Sequence, residues 1–373
     1  MKKILILTAG FGEGHNAAAR NLAAAFDSIS GPGSSRTVDL LAESSPRLNE
    51  ISRRCYLGMI NRTPRLWSRF YSWIDRSRRV PGRLLIRRDT RLLAELIQRE
   101  RPDVICSTFP LYCYMLEQLA HLGRLNVPYF SIVTDSISIN SIWWRAGCDG
   151  WFVPNEDTAE VFRRAGIPDE LLHVSGFPVP AFFSENAAVL SPPDLAAGRA
   201  PRVLYIINTG TRNAAATAKR LLAEEDWEIT CAVGRDESLR RQLQALANGR
   251  RQPATILGWT NQIPRLLMTH HVVVSKAGGA TTQEAIAARC PMIVNQIVPG
   301  QEEGNYELLR RHGIGALAET PDTTITSLQR AFADHGAVWN DWRRALEPLA
   351  RPNASRAIAD AVLARIADAA PAP

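Results

Sequence analysis

The sequence predicts an α/β protein with two domains, each built on a parallel sheet. Short apolar runs alternate along the chain with segments that are long enough for crossover helices. Continuous apolar runs of this kind are typical of parallel strands that helices cover on both faces. The length of 373 residues also fits two domains of ordinary size. The predicted strands are residues 4–8, 104–107, 129–134, 150–153, 203–208, 228–233, 272–275 and 292–295.

A proline-rich stretch divides the chain near its middle. Residues 177–200 contain the sequences FPVP and SPP and show no strong periodicity before the next apolar run. This composition is typical of an interdomain connection. We therefore predict an N-terminal domain over residues 1–176, the connection over 177–200, a second domain over 201–340 and a C-terminal helical segment over 341–373.

The cysteine pattern and the hydropathy exclude several classes of protein. None of the six cysteines belongs to a C-x-x-C pair or to a His/Cys cluster with zinc spacing, which argues against a disulfide framework and a structural metal site. The apolar run behind the N-terminus stops after about six residues, which is too short for a secretory signal. No window reaches the ~18 apolar residues of a membrane-spanning helix. We expect a cytoplasmic protein whose contact with a membrane is peripheral.

A glycine-rich turn, GFGEGH, follows the first predicted strand and opens an alanine-rich helix. Its glycines, among them Gly12 and Gly14, allow a tight turn and a close approach of backbone to a ligand. The spacing is G-x-G-x-G rather than the dinucleotide pattern G-x-G-x-x-G, so nicotinamide binding is not expected. His15 ends the turn at the carboxyl end of a strand, where ligands of open α/β sheets collect. It is a candidate base or acceptor-positioning group, or else a simple helix cap.

A second small-residue turn and an amide-rich loop lie in the second half of the chain. After the strand at 272–275, the helix that begins near Ala280 directs its free backbone N–H groups outward, an arrangement that suits a diphosphate. Glu284 follows one helical turn later, where its carboxylate can accept hydrogen bonds from a ribose. The loop PGQEEGN at 299–305 supplies amides and carboxylates for the hydroxyls of a sugar. The alternative is a turn with solvated acids.

These two loops, with GFGEGH and the sequence VTD at 133–135, resemble the diacylglycerol glycosyltransferase family. That family contains plant monogalactosyldiacylglycerol synthases and bacterial processive diacylglycerol glucosyltransferases, and the N-acetylglucosaminyltransferase of the lipid-linked peptidoglycan precursor is a more distant relative. The resemblance covers nearly the whole chain, and PGQEEGN is its most specific piece. It implies the GT-B fold, with two Rossmann-like domains whose parallel sheets face each other across a cleft. It also implies a UDP-sugar donor, inversion at the anomeric carbon, and no cofactor or essential metal.

Carried over by motif, the resemblance assigns donor-binding roles mainly to the second domain. Glu284 matches the ribose ligand, Gln301 and Glu302 match ligands of the donor hexose, and Asn305 matches an asparagine of the same loop. Trp259 lies in the segment that matches the uracil loop. Gly210 and Arg212 lie in a turn that faces the diphosphate in relatives, where Arg212 either supplies positive charge to the leaving UDP or is an ordinary exposed residue. The residues that match the diphosphate turn are Gly278, Gly279, Ala280 and Thr281.

In the first domain, His15 and Asp135 match the two residues considered for activating the acceptor hydroxyl. We expect Asp135 to be the base and His15 its orienting or proton-sharing partner, although the sequence does not separate the two roles. Relatives carry a histidine shortly after the aspartate and before a tryptophan. Here Asn140 stands near that position with one extra residue in the spacing. This departure concerns the lipid acceptor more than the donor.

A basic aromatic segment runs from Arg53 to Arg91. It holds twelve arginines against Asp75 and Asp89, a local charge of +10, and because the whole chain carries +7 the remainder carries −3. Cationic side chains interleaved with tryptophan, tyrosine and phenylalanine are typical of a surface that settles into an anionic bilayer. The family resemblance places the membrane-docking region in the same part of the chain. A solvated helical hairpin and nucleic-acid binding are the alternatives, and no nucleic-acid fold signature accompanies the segment.

The sequence therefore predicts a UDP-sugar-dependent hexosyltransferase of the inner face of the cell membrane. Its expected acceptor is diacylglycerol or glycosyl-diacylglycerol, and its expected product has inverted anomeric configuration. Three alternatives remain open: a UDP-N-acetylglucosamine transferase with another lipid-linked acceptor, a UDP-sugar epimerase on the same fold, and a non-catalytic nucleotide-sugar sensor. Glucose, galactose and N-acetylglucosamine are not distinguished at this stage.

Overall fold

The structure is a computed structural model that describes residues 2–10, 13–44, 86–208, 213–298 and 302–368. It divides into two compact units. The first comprises Met1–Ala181, Pro299–Gly304 and Asn353–Pro373, and the second comprises Phe182–Val298 and Asn305–Pro352. The break after Ala181 falls inside the stretch 177–200.

The first unit is built on a six-stranded parallel sheet with the order β2-β1-β3-β4-β5-β6. Its strands are β1 Ile4–Leu7, β2 Ser35–Val38, β3 Val104–Ser107, β4 Tyr129–Ile132, β5 Trp151–Val153 and β6 Leu172–Val174. In the described residues, the helices before β6 are α1 Glu13–Ser30, α2 Leu40–Ser44, α3 Ile86–Glu100, α4 Leu111–His121 and α5 Glu156–Arg164, with short 3-10 helices at Ser141–Trp143 and Asp169–Leu171.

Both faces of the first sheet are buried, which explains the unbroken apolar runs. Along β1, Leu5 and Leu7 pack on one face with residues of α3 and α4, and Ile4 and Ile6 pack on the other with residues of α1. Successive side chains of a strand point to opposite faces, so a strand covered on both sides needs apolar residues at every position. The C-terminal helix contributes Ile358 and Val362 to the second of these cores.

The second unit is built on another six-stranded parallel sheet, with the order β12-β11-β10-β7-β8-β9. Its strands are β7 Arg202–Ile206, β8 Glu228–Ala232, β9 Ala254–Leu257, β10 Val272–Lys276, β11 Met292–Gln296 and β12 Ala316–Leu317. The helices after β6 are α6 Phe182–Asn186, α7 Ala214–Leu222, α8 Glu237–Ala247, α9 Ile263–Thr269, α10 Gly279–Ala287, α11 Glu303–Arg311, α12 Pro321–Leu346 and α13 Ala354–Asp368.

Helix α12 is kinked where residues 333–336 leave the helical conformation. Gly336 adopts a φ of 81°, and a Cβ at this position would lie 2.5 Å from the side chain of Leu195. Beyond the kink, the indole of Trp339 donates a hydrogen bond of 2.7 Å to the carbonyl oxygen of His271. The second half of α12 thus closes the core of the second unit, and it runs through the position 340/341 where the sequence suggested a boundary.

The predicted fold class is confirmed, because both sheets are parallel and covered by helices. Each of the eight predicted strands is present, as β1, β3, β4, β5, β7, β8, β10 and β11. The four strands that the sequence analysis missed are β2, β6, β9 and β12, which form the outer edges of the two sheets. The five cysteines in the described part of the chain are free thiols, and no helix there is both long and apolar enough to cross a membrane.

Candidate active site

The strand orders place one crevice at the carboxyl edge of each sheet. In the first sheet, β2 and β3 lie on opposite sides of β1, and in the second, β8 and β10 lie on opposite sides of β7. At such a switch point the connections leave in opposite directions, and the open space between them is where ligands of doubly wound folds bind. The predicted site residues that the structure describes lie largely in loops at these carboxyl edges.

His15 lies at the switch point of the first sheet, in the first turn of α1. It is 9% exposed. Its Nδ1 lies 2.8 Å from the carbonyl oxygen of Thr108 and 2.8 Å from Oγ1 of Thr134. Thr108 directly follows β3 and Thr134 lies two residues beyond β4. Because β1, β3 and β4 are neighbours, the three loops meet at one point. His15 therefore does not simply cap its own helix, since its ring is tied to two other loops.

The hydrogen bonds of His15 determine its tautomer. A carbonyl oxygen can only accept, so Nδ1 carries the proton and donates it to Thr108. Nε2 is then the unprotonated ring nitrogen, and it makes no hydrogen bond to the described part of the chain. Burial lowers the pKa of His15 below its ordinary value, while the charge of Asp135 and the bond to Thr108 partly oppose this shift. His15 is thus a neutral imidazole with an available lone pair at neutral pH.

Asp135 is held by an aromatic neighbour. It follows β4 in the sequence Val133-Thr134-Asp135, and its Oδ2 accepts a hydrogen bond of 2.9 Å from the indole Nε1 of Trp143. Trp143 is itself buried and lies with its ring centroid 6.2 Å from that of His15. The negative charge of Asp135 is close enough to raise the pKa of His15. The predicted pair is therefore brought together, although each member is fixed by a different set of partners.

The glycine turn before α1 is anchored by an acid that the sequence analysis did not single out. The backbone N–H of Gly10 donates a hydrogen bond of 2.8 Å to Oδ2 of Asp39, and Oδ1 of the same carboxylate accepts from the N–H of Ala42 at the start of α2. A Cβ at Gly10 would lie 3.3 Å from Asp39, so the turn packs closely. Gly14 lies within α1, and Gly12 lies outside the described residues.

Asn140 has a structural role in this loop. Its side-chain Oδ1 accepts a hydrogen bond of 3.0 Å from the N–H of Ile142 and caps the 3-10 helix that carries Trp143. The residue is 3% exposed. An asparagine at this position therefore orients the tryptophan that binds Asp135.

In the second unit, the predicted diphosphate turn follows β10. The pairing of β10 with β11 shifts register between Ser275 and Lys276, just before the strand ends. Gly278 then forms the N-cap of α10 without a side-chain cap. The N–H groups of the first turn of a helix have no intrahelical partner, and the helix dipole favours a negative charge beside them. Gly279, Ala280 and Thr281 form this first turn and are partly exposed.

Two asparagines form hydrogen bonds at the second switch point: Asn208, which the sequence analysis did not assign, and Asn305, which it placed at the donor site. Asn208, directly after β7, donates a hydrogen bond of 3.1 Å from Nδ2 to Oγ of Ser275 on β10. Asn305 donates from Nδ2 to the carbonyl oxygen of Ala277 over 3.0 Å, and its Oδ1 is buried without a hydrogen-bond partner within the described ranges. Asn305 thereby ties α11 to the diphosphate turn.

The other residues that were predicted to bind the sugar donor differ in how exposed their side chains are. Glu284 is half-buried on α10, one turn beyond Thr281, and Glu302 is buried. Trp259 is 70% exposed on the loop after β9. Gly210, Arg212, Gln301 and residues 53–85 of the basic segment lie outside the described residues, so their predicted roles stay predictions.

Comparison with known proteins confirms the resemblance inferred from the sequence. The model of the monogalactosyldiacylglycerol (MGDG) synthase family matches residues 15–179. A processive diacylglycerol beta-glucosyltransferase of Bacillus cereus (strain G9842) is 24% identical over 372 residues, which cover 97% of this chain and 93% of that protein. The chain is thus similar to the family over residues 15–179 and to the glucosyltransferase along nearly its full length.

Solved structures support the GT-B fold. MurG of Acinetobacter baumannii aligns with a TM-score of 0.63 and 14% identity, over 98% of this chain and 100% of that one. The UDP-GlcNAc 2-epimerase of Neisseria meningitidis, solved with UDP-GlcNAc bound, aligns with a TM-score of 0.58 and 12% identity, over 97% of this chain and 100% of that one. At these identities the structural likeness shows the fold alone.

Proposed function

We propose that the protein is an enzyme that transfers a hexose from a UDP-sugar to a lipid hydroxyl, with diacylglycerol or glycosyl-diacylglycerol as acceptor and with inversion at the anomeric carbon. The observation that carries this proposal is the hydrogen bonding of His15. A buried, neutral imidazole with its proton fixed on Nδ1 and its Nε2 lone pair available is suited to take a proton from an alcohol. The similarity to diacylglycerol glucosyltransferases supports the choice of acceptor.

The acceptor chemistry assigns the base role to His15 and an electrostatic role to Asp135. As the acceptor oxygen forms its bond to the anomeric carbon, its proton passes to Nε2 and the ring becomes an imidazolium. Asp135 stabilises that positive charge, as its effect on the pKa of His15 indicates. This division reverses the preference drawn from the sequence, because the indole of Trp143 already occupies Oδ2 of the carboxylate.

The donor chemistry is assigned to the second switch point. When the bond between the anomeric carbon and the diphosphate oxygen breaks, negative charge develops on UDP. The N–H groups at the start of α10 would stabilise this charge, because a helix N-terminus favours an anion. Glu284, one turn further along α10, would accept hydrogen bonds from the ribose. We propose that these groups, with Glu302 and Asn305 near the sugar, bind the donor without an essential metal.

The basic segment from Arg53 to Arg91 supplies the membrane contact in this proposal. Its charge of +10 would attract an anionic bilayer by roughly 1 kcal/mol for each arginine near the surface. Its aromatic residues suit the interface between headgroups and acyl chains. The enzyme would then work as a peripheral protein at the cytoplasmic face of the cell membrane.

The proposal is tested by measuring UDP release from purified protein for UDP-glucose, UDP-galactose and UDP-N-acetylglucosamine. Each donor is offered with and without anionic liposomes that contain diacylglycerol, in buffer with EDTA, and the lipids are analysed by mass spectrometry. We expect liposome-dependent UDP release and a lipid that gains one hexose. A donor converted to its 2-epimer without a lipid product would instead identify a UDP-sugar epimerase, and binding without turnover would identify a sensor.

A further inference from the structure

The loop that carries Asp135 contains a strained residue. Ile137, two positions after Asp135, adopts a φ of 49° and is 8% exposed. A β-branched residue rarely occupies the left-handed region, because its side chain crowds the backbone there. Such strain is unfavourable and persists only where the surroundings hold it in place.

The backbone N–H of Ile137 is held by two polar residues at the start of α5, which we name the Asn155–Thr158 clasp. The N–H of Ile137 donates a hydrogen bond of 3.2 Å to Oγ1 of Thr158. The Thr158 hydroxyl in turn donates to Oδ1 of Asn155 over 2.8 Å, and the N–H of Thr158 donates to the same oxygen over 2.9 Å. Thr158 is fully buried and Asn155 is 5% exposed, so water does not replace these bonds.

The clasp carries a second local cost. Because Oδ1 of Asn155 accepts both bonds from Thr158, the side-chain amide is fixed in one orientation. Its Nδ2 is then buried without a hydrogen-bond partner among the described residues. Buried donors of this kind are rare and unfavourable. A strained backbone and an unsatisfied donor therefore meet in one cluster, beside the loop that the proposed chemistry uses.

We infer that the Asn155–Thr158 clasp positions Asp135 by holding Ile137 in the left-handed conformation. A left-handed residue reverses the local direction of the chain, so the backbone between Asp135 and the 3-10 helix follows a path that an extended Ile137 would not allow. Along this path the carboxylate reaches the indole of Trp143 and lies near His15. Thr158 and Ile137 are thus positioning residues. The inference rests on the proposed function for its effect on catalysis.

The test uses a rescue by glycine. Thr158→Val removes the hydroxyl but keeps the shape of the side chain, so the clasp is lost and Ile137 is free to relax. We expect kcat to fall about tenfold while the KM for the UDP-sugar stays unchanged. Ile137→Gly in the same chain should recover most of the lost kcat, because glycine adopts a positive φ without a clasp. Thr158→Ser, which keeps the hydroxyl, should remain close to wild type.

Arg101→Gly is the matched control. Arg101 is another non-glycine residue of the first unit with a positive φ, at 47°. It lies before β3, at the amino end of the strands, whereas Ile137 lies beyond their carboxyl ends. The Arg101→Gly variant should leave kcat unchanged even if it raises stability. If Thr158→Val keeps full kcat, or if the double variant is no better than Thr158→Val alone, the inference is wrong. A general loss of folding would reduce both variants together and would not be rescued at residue 137.

A readout that does not need activity separates this inference from the proposed function. The indole N–H of Trp143 is bonded to Asp135, so its hydrogen-exchange rate in ¹⁵N-labelled protein reports the position of the carboxylate; a Trp143→Phe variant assigns the signal. We expect faster exchange in Thr158→Val and a return towards the wild-type rate in the double variant. Unchanged exchange in Thr158→Val overturns the inference. A wild-type protein without transfer activity contradicts the proposed function, and the indole measurement still decides the role of the clasp.

Discussion

Buried histidines occur in both units, and their hydrogen bonds differ. In the first unit, both bonds of His15 involve Nδ1. In the second unit, His270 uses Nδ1 with the carbonyl oxygen of Leu266 and Nε2 with the hydroxyl of Thr230. His271 likewise accepts from the N–H of Arg202 at Nδ1 and donates from Nε2 to the carbonyl oxygen of Pro193.

The comparison shows which property separates a candidate base from a structural histidine. All three rings are buried, and burial lowers the pKa of each. A shifted pKa therefore does not identify the functional one. Of these three histidines, only His15 keeps a ring nitrogen without a hydrogen-bond partner in the described chain, and only His15 lies at a switch point beside an acid. His270 and His271 fasten β7, β8 and α9 to one another.

Replacing His15 should have the largest effect. His15→Gln keeps a polar side chain of similar reach but no longer offers a base, so transfer should fall by roughly 10²–10⁴-fold. The affinity for UDP should stay the same, because the groups proposed to bind the diphosphate and the ribose, the start of α10 and Glu284, lie in the second unit. Lipid product by mass spectrometry and UDP affinity by calorimetry measure the two effects. Retained turnover would show that His15 is not the base.

Acidification should destabilise the second unit through His270 and His271. Burial lowers the pKa of each to about 4, whereas in the unfolded chain both titrate near their ordinary value. The unfolded state therefore binds more protons between roughly pH 6.5 and pH 4, and the free energy of unfolding falls as pH decreases through that window. The loss is on the order of 3 kcal/mol for each histidine.

Denaturant unfolding followed by tryptophan fluorescence at pH 7 and pH 4.5 measures this loss. Replacing both histidines by glutamine should make the free energy of unfolding depend less on pH, although it lowers the stability at pH 7. His335→Gln, at an exposed position in the kink of α12, is the control and should leave the dependence as in wild type. If the free energy of unfolding of the double glutamine variant falls with decreasing pH as steeply as that of wild type, groups other than these two histidines cause the acid sensitivity.

Glu284→Ala should have a smaller effect, and on binding rather than on proton transfer. The loss of a carboxylate that accepts ribose hydroxyls should weaken UDP affinity by about tenfold, since a charged hydrogen bond contributes roughly 1.5–3 kcal/mol. The pH dependence of turnover should not move, because Glu284 is not part of the His15 cluster. Glu319→Ala, at an exposed position shortly before α12, serves as the control. An unchanged UDP affinity in Glu284→Ala would remove Glu284 from the donor site.

The sequence predicted the central strands of both sheets but missed the outermost strands. The strands it predicted are apolar at nearly every position because helices cover both faces. The missed strands, such as β2 with the sequence SRTV and β9 with ATIL, are short and partly exposed. An edge strand has a neighbour on one side only, so its residues carry a weaker apolar pattern.

The candidate site was predicted only in part. His15 and Asp135 were found because they follow strands and match a motif. The partners that fix them, Thr108 and Trp143, are ordinary residues in sequence and gain their role from the adjacency of β1, β3 and β4. The positive φ of Ile137 had no sequence signal, because isoleucine is among the residues least expected there. The partners of His15 and Asp135 therefore follow from the order of the strands in the sheet and not from any local sequence pattern.

The most direct test of the base assignment is the pH–rate profile of Asp135→Asn. In wild type, kcat/KM should fall on the acid side as His15 becomes protonated. The negative charge of Asp135 raises the pKa of His15, so its removal should lower that pKa and move the acid limb to lower pH, with a reduced plateau. A variant that is inactive at every pH, or whose acid limb stays at the wild-type position, would contradict the account and return the base role to Asp135.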